Sequence, residues 1–248
     1  MVSSGGSDLE LSEYLQSFLT EERRERFDRV LEQRTHWIQV GLVDLYQQHN
    51  ASAVLRTCDA MGVQKVHVVE SYNEFDPNPD VALGSEQWLT LTHYQGADAV
   101  EQCVTTLKSQ GVCVAATVLH ADSRPIAELP LDRPVALLFG NERDGLPQSV
   151  IEAADELVHV PMYGFVESFN ISVAAALCLQ TLTERLRASE ILWLLTPEEK
   201  VRLQLEWTRK SLKKVDQLER QFHLDMAQGR RPRRLTDHEP LSSERGLL

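Results

Sequence analysis

Asn50, Arg56, Glu142, Ser168 and Asn170 fall in three short segments with a common grammar. They are His49–Thr57 (HNASAVLRT), Leu137–Pro147 (LLFGNERDGLP) and Val158–Ala174 (VHVPMYGFVESFNISVA). Each is, or directly follows, an apolar run that passes into a polar stretch. A loop at the end of a strand exposes backbone donors and acceptors, which is where open α/β sheets place their ligands. Three such segments in one chain argue for a built site. In the first, Asn50 is suited to cap a helix through its side-chain oxygen. Helix spacing then sets Arg56 nearly two turns further on, near the same face. In the second, Gly140 follows a buried strand, where a missing Cβ lets a ligand approach the backbone, and Glu142 lies at the mouth of the sheet. In the third, Gly164 permits a turn. Ser168 and Asn170 there supply short hydrogen-bonding side chains, and the small residues Ser172–Ala176 permit close helix packing. Taken singly, Arg56 also fits a surface ion pair, and the Gly140 segment an ordinary turn.

Several chemistries are excluded. Gly140 and Gly145 have P-loop spacing, but Leu146-Pro147 stand where Lys-Ser/Thr is required, and proline donates no backbone N–H. No G-x-G-x-x-G follows a strand, which leaves a nicotinamide or flavin site unsupported. Ser168 lies in no G-x-S-x-G elbow, which counts against a hydrolase. No H-E-x-x-H occurs, the eight histidines are scattered, and the four cysteines at 58, 103, 113 and 178 lack zinc-ligand spacing, so no metal is expected. Those cysteines suit a reduced, cytoplasmic protein. No basic-then-apolar leader opens the chain, and no apolar run nears the ~20 residues that span a bilayer.

The elements that must position these residues alternate. Strands are expected at Ile38–Leu45, Val63–Val69, Trp88–Thr92, Val112–Val118, Val135–Phe139 and Leu157–Val160. Helices are expected from Asn50 to about Met61, over Ala97–Gln110, over Gln148–Ala154 and from Ile171 to about Leu195. The fold class is therefore α/β with a mainly parallel sheet. Residues 1–8 read as a flexible tail and 9–36 as a helical extension with Thr20 as a cap. Residues 37–188 form the core domain. Residues 189–228 form a second helical extension, with one helix from Pro197 to about Met226, and 229–248 a mobile tail. Net charge is −12, unevenly spread: residues 41–180 hold 18 acids and 6 bases, residues 181–248 hold 11 acids and 14 bases. The basic ends are either solvated helix faces or a local surface for a polyanion.

In this order, the three segments closely resemble motifs one, two and three of the SpoU branch of the SPOUT RNA methyltransferases, over about residues 21–180. Thr20–Arg34 resembles the N-terminal helix of the tRNA guanosine-18 2′-O-methyltransferases of that branch, and Gly84–Trp88 a further family feature. The resemblance implies a deep C-terminal trefoil knot, an exception to the rule that chains do not thread. It implies S-adenosylmethionine as cofactor, held around Thr117, Gly140, Val160, Met162 and Phe169. A homodimer is implied, with the first and last helices near its interface. The implied reaction is methyl transfer to a ribose 2′-hydroxyl, most directly that of the D-loop guanosine of tRNA, with Asn50, Arg56, Glu142, Ser168 and Asn170 as the functional positions. Arg23, Arg24, Lys210 and Lys213, with Arg209, Lys214, Arg220 and Arg230–Arg234, would hold tRNA phosphates. Another tRNA position, a ribosomal RNA, or a silent knotted RNA-binding protein are the alternatives. Gln47-Gln48 depart from the lysine-proline common before His-Asn, which puts RNA affinity rather than chemistry in question. Phe139 and Phe169 are apolar departures.

Overall fold

The computed structural model describes residues 4–73, 75, 78–119 and 122–232. They form two compact units, one from 4–33 with 195–232 and the other Arg34–Leu194.

The larger unit is a doubly covered parallel sheet. Its elements in chain order are β1 (Ile38–Val43), α3 (Gln48–Met61), β2 (Lys65–Glu70), α4 (Pro79–Ala82), β3 (Thr90–Gln95), α5 (Ala99–Ser109), β4 (Cys113–Thr117), β5 (Arg124–Pro125), β6 (Val135–Phe139), α6 (Gln148–Ala153), β7 (Glu156–His159) and α7 (Ile171–Arg187). The strand order is β3-β2-β1-β6-β4-β7-β5, and every neighbouring pair is parallel. Strand pleating sends alternate residues to opposite faces. Ile38, Val40, Leu42, Leu137 and Phe139 therefore meet Val54, Leu55 and Cys58 of α3 and Leu179 and Leu182 of α7. Val43, Val114, Ala116 and Leu138 meet Cys103 and Leu107 of α5 and Val150 of α6. Burial on both faces explains why the strands read as continuous apolar runs.

One buried polar row crosses β1, β2 and β3. Gln39 Nε2 donates to the His36 carbonyl, which turns Gln39 Oε1 toward His67. His67 Nε2 then donates to that oxygen at 2.8 Å, and Nδ1 faces the Tyr94 hydroxyl at 3.3 Å. Burial, helped by the Lys65 charge, lowers the His67 pKa to about 4 from 6.5. Because the folded value lies below the unfolded one, the neutral ring stabilises the fold above pH 6.5, and that contribution is lost as pH falls toward 4. The loss amounts to roughly 3 kcal/mol. Urea unfolding between pH 7 and 4 should show that slope, and His67→Gln should flatten it. An unchanged slope would remove His67 as its source.

The smaller unit is helical: α1 (Ser4–Gln16), α2 (Glu21–Leu31), α8 (Pro197–Ser211) and α9 (Val215–Ala227). Thr20 caps α2, accepting from Arg23 N, and Thr196 with Glu199 forms a capping box on α8. Tyr14 packs 5.3 Å from Phe222, and Phe27 lies 5.5 Å from Trp207.

Several boundaries differ from the sequence expectation. α1 already runs from Ser4, inside the stretch read as a tail. A 3-10 turn at Ser85–Trp88 precedes β3, which starts at Thr90. α7 stops at Arg187 and does not reach Leu195, because tertiary pairing takes over. Thr35 bridges Leu194 and donates its hydroxyl to the Trp193 carbonyl at 2.7 Å. The single helix expected from Pro197 to Met226 is two, broken where Leu212 is extended and Lys214 adopts φ 60°. Arg233 and Arg234 lie outside the described residues.

Candidate active site

The sheet order reverses between β1 and β6, whose outer neighbours are β2 and β4. A crevice opens beyond the carboxyl ends of strands at such a reversal. Here the loops after β1, β4, β6 and β7 line a cavity of about 670 Å³, within the ~300–1,000 Å³ usual for small-molecule sites. Asn50, Glu142, Ser168 and Asn170 line it, as do Thr117, Gly140, Val160, Met162 and Phe169.

A chain of side-chain amides ties the three segments together. An ionised carboxylate only accepts hydrogen bonds, so Glu142 Oε1 takes the Asn50 Nδ2 donor, at 2.5 Å. That orientation aims Asn50 Oδ1 at Asn170, whose Nδ2 donates to it at 3.1 Å. Asn170 Oδ1 is then left to accept from Ser172 N at 2.9 Å and Ser172 Oγ at 2.6 Å, which caps α7. Each amide has one self-consistent direction, fixed from the Glu142 end. The same Glu142 accepts from Tyr46 N at 3.4 Å.

The loops are braced from outside this row. Asp44 has φ 50°, a costly backbone state for a residue with a side chain. Its Oδ1 accepts from the backbone amides of Ser71 and Tyr72 at 2.7 and 2.9 Å, which offsets the strain and joins the loops after β1 and β2. After β6, Asn141 Oδ1 accepts from Arg143 N and Asp144 N. Asn141 and Gly145 exchange two backbone hydrogen bonds, each 3.1 Å.

Two sequence expectations need correction, and a third gains a second reason. Asn50 is not the cap of α3. The helix starts at Gln48 with Gln47 as its cap, and the Asn50 side chain is used in the tertiary row instead. Gly140 lines the cavity, and its own loop already requires glycine there: a Cβ would lie 2.1 Å from the Gly145 carbonyl. Arg56 does not share the face of Asn50. Six helical positions turn it roughly 120° away, so Asn50 is buried while Arg56 is exposed and outside the cavity lining.

Of the basic residues singled out, Arg23 and Arg24 sit on α2, Lys210 ends α8 beside Glu206 at 2.6 Å, and Lys213 is exposed in the turn before α9. Arg209 is engaged by Glu219 and Arg230 by Asp225. Sequence reasoning missed Asn141, whose Asn-x-x-Asp-Gly setting is a turn signal that could have marked it. It also missed Gln47, His159 and the Arg143 guanidinium, which lies 4.6 Å from the centre of the Tyr46 ring.

The charges at the cavity are the Glu142 and Asp144 carboxylates and the Arg143 guanidinium, beside apolar Phe139, Val160, Met162 and Phe169. Such a set suits a ligand with cationic groups, a carboxylate and a flat apolar body. The four cysteines are free and buried. Burial pushes the Cys58, Cys103 and Cys178 thiols up to about 12, so they stay protonated. Among the described residues, no cluster of three or more His, Cys, Asp or Glu is placed to hold a metal, and no helix is long and apolar enough to cross a membrane.

Comparison with known proteins gives the fold and site a context. The tRNA (guanosine(18)-2′-O)-methyltransferase of Borreliella burgdorferi is 40% identical over 205 residues, 83% of this chain and 93% of that protein. The enzyme of the same name from Thermus thermophilus is 36% identical over 170 residues, 68% of this chain and 86% of that protein. The crystal structure of the A. aeolicus TrmH/SpoU tRNA modifying enzyme superposes with a TM-score of 0.69 at 29% identity, covering 78% of this chain and 98% of that one. The model of the SpoU rRNA Methylase family matches residues 38–180, which run from the first residue of β1 into α7 and so span the whole sheet and the cavity. The chain belongs to the SpoU methylase family.

Proposed function

We propose that this protein transfers a methyl group from S-adenosylmethionine to the 2′-hydroxyl of guanosine 18 in tRNA. The observation that carries the reading is the amide row from Glu142 through Asn50 to Asn170, which fastens all three motif segments around one strand-end cavity. The names of the 40% and 36% identical relatives support the choice of substrate.

The cavity fits the cofactor in size and in the charges described above. Val160, Met162 and Phe169 would flank its adenosine, with Thr117 and Gly140 at its floor, and the acidic Glu142 and Asp144 would face its cationic end. Bound there, the cofactor supplies a methyl group already activated on a positively charged sulfur. The protein's remaining tasks are to position the ribose hydroxyl, keep water away and stabilise charge on the attacking oxygen. Asn50 and Asn170 fix the wall against which the ribose sits, Ser168 offers it a hydroxyl, and Glu142 holds the loop. Arg56, exposed on α3 and outside the cavity lining, would reach the acceptor from the RNA side, holding its phosphate and meeting developing alkoxide charge.

The working form is a homodimer. Phe169, Val173 and Leu177 leave an exposed apolar ridge, spaced by four residues, for a second copy to cover. The knot expected of the family is consistent with β6 lying between β1 and β4, and β7 between β4 and β5. The domain bounds follow: a methyltransferase core of Arg34–Leu194, and a helical unit of 4–33 with 195–232 that grips tRNA through Arg23, Arg24, Lys210 and Lys213. The enzyme acts in the cytoplasm, where its free thiols stay reduced.

The test is to incubate the protein with S-adenosylmethionine and unmodified tRNA transcript and to map the methylated nucleotide. Methyl on guanosine 18 is expected. Methyl elsewhere overturns the position, and cofactor binding with no transfer to any RNA overturns the activity. If about four phosphates are neutralised, tRNA affinity should fall roughly 100-fold between 50 and 200 mM salt. Flat affinity over that range would remove the phosphate contacts from the proposal.

A further inference from the structure

Tyr46 follows β1 by three residues, and Arg143 follows β6 by four. The Arg143 guanidinium covers one face of the Tyr46 ring with its carbon 4.6 Å from the ring centre. Yet Tyr46 keeps 58% of its surface exposed, so the uncovered face opens outward. The pair is not a loose surface contact. Tyr46 N donates to Glu142 Oε2, the carboxylate that starts the amide row. Gln47 and Arg143, on either side of this bond, both line the cavity. Asp44, two residues earlier, is anchored by the amides of Ser71 and Tyr72. A flat aromatic surface, backed by a cation and held by backbone, thus stands at the mouth of the cavity beside the residues assigned to the ribose.

A large exposed ring in water gains little where it is. It gains by stacking on another flat apolar surface, and a guanidinium behind it strengthens the contact with an electron-rich base. Sequence-reading RNA proteins use aromatic side chains in this way for bases pulled out of their stacks. A ribose cannot reach a strand-end cavity while its base stays stacked in the RNA, so a displaced base needs somewhere to rest. We infer that the Tyr46–Arg143 pair is the platform on which the base of the methylated nucleotide stacks, which makes Tyr46 a positioning residue for the acceptor. This inference rests on the RNA 2′-O-methyltransferase reading above.

The experiment uses the full-length protein and two tRNAs, one with guanosine at the methylated position and one with an abasic ribose there. Tyr46→Ala should weaken binding of the guanosine tRNA about 10-fold, the usual effect of removing one stacked aromatic. It should leave binding of the abasic tRNA and of S-adenosylmethionine unchanged. Tyr46→Phe and Tyr46→Trp should bind the guanosine tRNA as the parent does, whereas Tyr46→Leu, apolar but not flat, should fail like alanine. Equal weakening on both RNAs, or recovery by leucine, overturns the platform. Weakened S-adenosylmethionine binding overturns it too, by assigning the ring to the cofactor. These results differ from failure of the underlying reading, in which the parent protein itself methylates neither bulk tRNA nor another RNA.

Discussion

Arg56→Ala should lower methyl transfer to tRNA by about 10²–10³-fold, the size of effect seen when one preorganised donor to a developing oxyanion is removed. S-adenosylmethionine affinity should stay as in the parent. The separation follows from geometry. Arg56 is on the exposed side of α3 and does not line the cavity, so its loss takes no contact from anything bound inside. A guanidinium keeps its proton at neutral pH and is a poor general base. Its strength is the planar fork that grips phosphate and meets new negative charge. Arg56→Lys keeps the charge and loses the fork, so it should recover only part of the activity. Isothermal titration with the cofactor, beside single-turnover transfer to saturating tRNA, would read the two effects apart. Parallel loss of both would place Arg56 in the cofactor site and sink the assignment.

The parts legible in sequence were those that local pattern determines. Apolar runs such as Val135–Phe139 announced buried strands, and each of the three segments announced a loop at a strand end. The site was therefore locatable, and four of the five candidate positions do line one cavity. Their mutual bonds were not legible. Glu142 and Asn50 are separated by 92 residues, Asn50 and Asn170 by 120, and no local propensity reports such a pairing. Asn50 shows the cost: as an isolated letter before small residues it looks like a cap, because the partner that claims its amide lies far along the chain. Helix ends failed for the same reason. The stretch after Arg187 has helical propensity, but Thr35 holds Trp193 and Leu194 in another conformation. The break at Lys214 has no Gly or Pro to mark it, so the apolar period reads straight through. A knot, where a chain has one, is a property of threading, on which spacing is silent.

Gly140→Ala and Gly164→Ala are the same chemical change in two glycines of the motif segments, and opposite outcomes are expected. At Gly164 a new Cβ would meet nothing within 4 Å, and no positive φ has to be held. Stability and S-adenosylmethionine affinity should stay at parental values. At Gly140 the Cβ would sit 2.1 Å from both the carbonyl carbon and the oxygen of Gly145, and 2.3 Å from Leu146 N. These are backbone atoms, so no rotamer change can relieve the contact. The turn must open, and the paired hydrogen bonds between Asn141 and Gly145 go with it. Overpacking of this kind costs about 3 kcal/mol. Glu142 rides on the displaced loop, so the Asn50 amide loses the acceptor that sets its direction. Gly140→Ala should therefore lower the melting temperature and also weaken S-adenosylmethionine binding by more than about tenfold, since a lost charged hydrogen bond alone is worth ~1.5–3 kcal/mol. Gly145→Ala calibrates the comparison: it has φ +70° but open space, and should cost only about 1–2 kcal/mol. If Gly140→Ala bound the cofactor as well as Gly164→Ala does, the turn from Gly140 to Leu146 would not be what shapes the cavity.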